Sequence, residues 1–94
     1  MNLKTQIQED MKTALRQKDV ERLTTIRLIL AAIKQFEIDE RSEVTEERVY
    51  AILEKMLKQR RESIAQYTQA KREDLANKER AEAELIQAYL PQPL

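Results

Sequence analysis

Not one glycine occurs in the 94 residues, and the two prolines, Pro91 and Pro93, both lie at the extreme end. A chain of this length and average composition would hold about six or seven glycines. Glycine is the residue that takes positive φ without steric cost, so tight hairpins and phosphate-cradling loops have little to be built from. No proline breaks a helix before residue 91. Apolar residues make up 41% of the chain, enough for one small core. The fold class this predicts is all-α.

Apolar residues recurring every three or four positions resolve four helices. The first runs from about Leu3 to Lys18 behind Asn2 as N-cap, with Leu3, Ile7, Met11 and Ala14 on one face. The second follows Asp19, a second N-cap, and carries Val20, Leu23, Ile26, Leu30 and Ile33 to about Ile38. Its middle, "IRLILAAI", is apolar on nearly every side, which suits a central helix packed by several neighbours. "DERSEV" (39–44) is a loop, and Thr45 caps a third helix over about Glu46 to Ala70, striped by Val49, Leu53, Met56, Ile64 and Tyr67. The fourth starts near Arg72-Glu73-Asp74, whose carboxylates suit the positive end of a helix dipole, and stops at Pro91. Short connections between four helices predict a small four-helix antiparallel bundle, a single domain over residues 1–94.

Lysine plus arginine and aspartate plus glutamate both number 17, so the whole molecule exerts no net pull on a polyanion. Cysteine and histidine are both absent, which removes disulfides, thiolate nucleophiles, imidazole bases and the usual zinc sites. No metal and no cofactor are expected. "LILAAI" (28–33) is too short to span a bilayer, and "MNLK" runs straight into mixed charge with no secretory apolar segment. These features predict a soluble cytoplasmic protein with no membrane partner.

Catalysis is poorly served. Ser42 and Ser63 are the only serines, neither has a histidine base, and Lys55 and Lys58 do not fall three or four residues from Ser63. The glutamates read as halves of i,i+4 ion pairs, Glu54–Lys58 and Lys58–Glu62. A di-metal carboxylate bundle uses Glu-x-x-His, which this chain cannot supply. No catalytic residue is expected.

The cations of "KQRRESIAQY" (58–67) divide by direction. At about 100° per residue, Arg60 falls within the Val49–Leu53–Met56–Ile64–Tyr67 stripe, while Lys58 and Arg61 point away from it. Arg27 falls likewise between Leu23, Ile26 and Leu30, and Glu79 lies amid Leu75, Ala76, Ala83 and Ile86. An unpaired buried charge is costly, so Arg27, Arg60 and Glu79 are expected to form a structural polar cluster. The alternative is that the arginine stems cover apolar surface while their heads reach water. The outward Lys58 and Arg61, with Lys71 and Arg72, read either as a solvated face or as phosphate-neutralising RNA-binding candidates. Phe36, Tyr50, Tyr67 and Tyr89 are the whole aromatic supply, too few to read bases by stacking.

"EDMKTALRQKDVERLTTIRLILAAIKQFEIDER" followed by "LKQRRESIAQYTQAKREDLANKERAEAELIQAYLPQPL" resembles the GatB/YqeY family over nearly the entire chain. The features that match are the MK…KD-x-x-R-L start, the AAIK…EID centre, the QRRESI…Y segment and the REDLA-x-KE…YLP ending. The resemblance implies a helical domain related to the tRNA-contacting tail of the B subunit of glutamyl/aspartyl-tRNA amidotransferase. The chemistry of that enzyme lies elsewhere, so a carbon–nitrogen ligase role follows here from association alone. Family members commonly have glycine where this chain has Lys71, and they continue beyond the Leu-Pro into a smaller helical subdomain that this chain is expected to lack. The function this implies is a non-catalytic helical module that binds tRNA weakly. The rival reading is a helical adaptor for a protein partner.

Overall fold

The structure is a computed structural model that describes residues 2–92. It contains α1 (Leu3–Arg16), α2 (Val20–Glu40), α3 (Glu46–Gln69) and α4 (Glu73–Gln87), and no strand occurs among the described residues. The all-α class with four helices is therefore as the periodicity predicts, and each boundary falls within three residues of its expected place. None of the helices is long and apolar enough to cross a membrane. The chain divides into two compact units, Met1–Ile52 and Leu53–Leu94, with α3 beginning in the first and continuing into the second.

In the first unit α1 and α2 pack as a helical hairpin across a three-residue turn. The Asn2 side chain accepts from the Thr5 N–H at 2.8 Å, and Asp19 accepts from Arg22 at 3.3 Å. Thr45 receives the Arg48 N–H at 3.2 Å, so all three expected caps form. Ile7, Ala14, Ile26, Ile29, Ile33 and Val49 are buried. Glu46, in the first turn of α3, reaches the Leu3 N–H at 2.8 Å and satisfies an orphan donor of α1. Glu37 does more. Its carboxylate takes Lys4 Nζ at 3.0 Å and the Val44 N–H at 2.9 Å, joining α1, α2 and the loop before α3.

α2 corrects one expectation. Thr25, Ile26, Ile29 and Ile33 are buried, but Leu28 is 42% exposed and Ile38 59%. The apolar middle is covered on one face and open on another, so α2 is not enclosed on all sides.

In the second unit the later part of α3 and α4 form an antiparallel pair whose buried residues include Leu53, Met56, Leu57, Ala76 and Ile86. The connection turns at Lys71, with φ of 61° in the left-handed region. The Lys71 N–H returns to the Thr68 carbonyl at 3.1 Å and the Arg72 N–H to the Tyr67 carbonyl at 2.8 Å, a Schellman closure. A lysine takes the place where glycine would cost least.

Candidate nucleic-acid interface

The helical phase of α3 separates neighbouring cations as expected. Lys58 and Arg61 are exposed, one turn apart, while the Arg60 side chain between them is only 16% exposed. Among the described residues no carboxylate closes on Lys58, so the expected pairs to Glu54 and Glu62 do not form. Arg61 donates to the neutral Oε1 of Gln87 on α4 at 3.2 Å and keeps its charge uncompensated. Beside it runs an open groove of about 540 Å³, floored by Leu57, Ile64 and Ala83 and rimmed by Arg61, Arg80 and Glu84.

Lys71 and Arg72 stand exposed at the turn into α4. Arg72 is committed: its Nε and Nη2 donate to the two carboxylate oxygens of Asp74, each at 3.2 Å. That fork holds the Asp74 carboxyl below the usual carboxylate range, helped by the Leu75 backbone N–H, and raises Arg72 above its ordinary value. Of the four RNA candidates, three are available to an outside anion and one shares its charge with a neighbour. On α4, Arg80 is likewise occupied, donating to Asn77 at 2.7 Å and to Glu73 and Thr68 at 3.2 Å.

The inward cation has partners. Arg60 Nε lies 3.5 Å from Glu79 Oε2 and 3.5 Å from Glu82 Oε2, with the two glutamate side chains 20% and 14% exposed. Neither approach is short or aligned enough to count as a hydrogen bond, since Arg60 Nε and Glu82 Oε2 are buried with no hydrogen-bond partner. Arg27, expected to point inward, is exposed on α2, because the buried stripe there is Thr25–Ile26–Ile29–Ile33 rather than Leu23–Ile26–Leu30, a rotation that turns Arg27 outward. Glu82 was missed, although its i,i+3 spacing from Glu79 puts both on one side of α4. Glu37 had no comparable signal, because its partners are distant in sequence or are backbone. Among the described residues no three His, Cys, Asp or Glu side chains gather closely enough to hold a metal ion.

The chain matches the profile of the Yqey-like protein family over residues 4–94. Among curated proteins it is similar to "Altered inheritance of mitochondria protein 41, mitochondrial" of the yeast Vanderwaltozyma polyspora, 42% identical over 85 residues that cover 89% of this chain and 46% of the relative. The protein of the same name in Clavispora lusitaniae is 41% identical over 88 residues, 94% of this chain and 51% of that one. In Pyrenophora tritici-repentis the figures are 36% over 83 residues, 88% and 46%. The chain thus spans about half the length of the curated relatives it matches. Their name corrects the expectation of a cytoplasmic protein, since each is called mitochondrial. That expectation rested on the lack of a secretory or membrane-spanning apolar segment, which does not separate cytosol from an organelle interior. By the extent of the profile match and the identity to these relatives, the chain belongs to the YqeY-like protein family.

Proposed function

We propose that this chain is a non-catalytic helical binding module that takes the phosphate backbone of tRNA on Lys58, Arg61 and Lys71, with Arg72 contributing when Asp74 releases it. The observation that carries this reading is the pair Lys58 and Arg61: both exposed, one helical turn apart and free of carboxylate partners among the described residues. Cations so placed gain free energy when they displace the counterions of a polyanion. Nothing near them reads bases, so the binding is to backbone and shape. The test is tRNA affinity at two salt concentrations, beside duplex DNA of equal length. A mitochondrial tRNA belongs in the same titration because the relatives are named as mitochondrial proteins. Lys58→Glu with Arg61→Glu should weaken binding strongly, and their loss should cut the salt slope by about two. Unchanged affinity in the double variant refutes the surface.

A second reading, a helical adaptor for a protein partner, is favoured by the exposed apolar residues Leu28 and Ile38 of α2. It predicts association that survives the Lys58 and Arg61 reversals.

A further inference from the structure

α2 is apolar on two faces, and only one is buried. The open face holds Thr24, Leu28, Ala31, Gln35 and Ile38, all exposed. At 100° per residue these five fall within an arc of about 80°, turned about 150° from the buried stripe of Thr25, Ile26, Ile29 and Ile33. Their spacing is four, three, four and three, the alternation of a and d positions along a coiled-coil seam.

We propose that this face docks a second copy of the chain, α2 against α2, parallel and in register. The charges beside the seam select this arrangement. Arg27 and Lys34 line one flank, at g positions, and Asp39 lies on the other, at an e position. In a parallel pair each g residue faces the e residue five positions later on the other strand, so Lys34 meets Asp39 of the second copy, twice by symmetry. An antiparallel pair sets g against g, bringing Arg27 of one copy against Lys34 of the other, and it carries the two Asp39 residues to opposite ends of the pair, away from any Lys34. Opposite charge in one arrangement and like charge in the other is the signature of a chosen orientation.

The seam residues fit the same arrangement. Ala31 sits at its middle, where a small side chain lets two helices approach closely. Gln35 meets Gln35 of the copy, and a pair of amides both donates and accepts, a polar seam contact that fixes register at some cost in affinity. Within one chain Gln35 Nε2 donates to Asp39 Oδ1 at 2.9 Å, which holds that carboxylate at the edge of the seam where Lys34 of the second copy arrives. Three apolar positions in five make a weak dimer that depends on concentration.

The chain has no cysteine, so single-cysteine variants report the geometry cleanly. Sedimentation equilibrium of the unmodified chain should show its mass rising with concentration towards twice the monomer. Ala31→Cys and Ile38→Cys should each cross-link to themselves under mild oxidation, whereas an antiparallel pair leaves Ile38→Cys uncross-linked. Leu28→Lys should stay monomeric with its helical circular dichroism unchanged, since the position is exposed. Lys34→Asp should weaken association about tenfold, and adding Asp39→Lys should restore it. A monomeric mass up to about 1 mM, association unaffected by Leu28→Lys, or a dimer in which Ile38→Cys fails to cross-link overturns the proposal.

Discussion

Lys18, Arg41 and Lys71 carry φ of 57°, 52° and 61°, so a chain without glycine still makes three left-handed turns among the described residues. A residue with a Cβ pays roughly 1–2 kcal/mol for that region. Two features offset it. Around Lys18 the backbone closes on the Leu15 carbonyl at 3.2 Å and, from Asp19, on the Ala14 carbonyl at 3.0 Å; Lys71 and Arg72 do the same at the end of α3. Each of the three side chains also places a cation just past a helix C-terminus, the negative end of the helix dipole. Missing glycine argues for few positive φ values, yet the turns are needed regardless, and cations fill them. Lys18→Gly should therefore stabilise the protein by about 1 kcal/mol, read from the urea midpoint, while Lys18→Val should destabilise it by about 1 kcal/mol. Equal midpoints for both variants would show that the conformation stores no strain. Lys71→Gly should stabilise by a similar amount but weaken the tRNA binding proposed above, separating the conformational role of this residue from its charge.

The helix boundaries were legible because each is set within a few residues: Asn2, Asp19 and Thr45 cap by their own side chains, and Pro91 lies just beyond the last turn. Which face each helix buries was harder to read. On α3 the stripe was strong enough to turn Arg60 inward and Lys58 and Arg61 outward. On α2 both faces are apolar, so periodicity alone could not choose between them, and Arg27 was placed on the wrong side. Substitutions on the two faces should separate cleanly: Ile29→Ala should cost about 3 kcal/mol, and Leu28→Ala under about 0.5 kcal/mol in the monomer. In α3, Arg60→Ala leaves Glu79 and Glu82 of α4 without their shared cation and should cost about 3 kcal/mol. Glu79→Ala alone should cost only about 1 kcal/mol, because Glu82 remains within reach of the guanidinium. Glu84→Ala, exposed, should cost under about 0.5 kcal/mol. Chemical denaturation of the five variants checks this order; Glu79→Ala costing as much as Arg60→Ala would mean that Glu82 contributes nothing.

Across the whole molecule, the lack of histidine and cysteine leaves no side chain with an ordinary pKa between pH 5 and 8. Stability over that range should be flat, and its acid limb should come from carboxylates whose affinity for protons differs between the folded and unfolded chain. Among the described residues two carboxylates are held low, and they are not equivalent. Asp74 is held by Arg72, two residues away, a contact that the unfolded chain can keep in part. Glu37 is held first by the Val44 backbone N–H and then by Lys4, contacts across seven and 33 residues that unfolding destroys. Because its folded pKa is depressed, the stabilisation from Glu37 is present in full above its unfolded value of about 4.3 and is lost as pH falls through the folded value. Glu37→Gln keeps the size of the side chain but cannot carry the charge. It should unfold at lower urea than the unmodified protein at pH 7, by the same margin at pH 6, and by a shrinking margin below about pH 4. Near pH 2 the two chains should converge, because protonation has by then done to Glu37 what the substitution does. A margin that stays constant down to pH 2 would mean that the carboxylate holds Lys4 and Val44 by shape alone, and that its charge has no part in joining α1 to the end of α2.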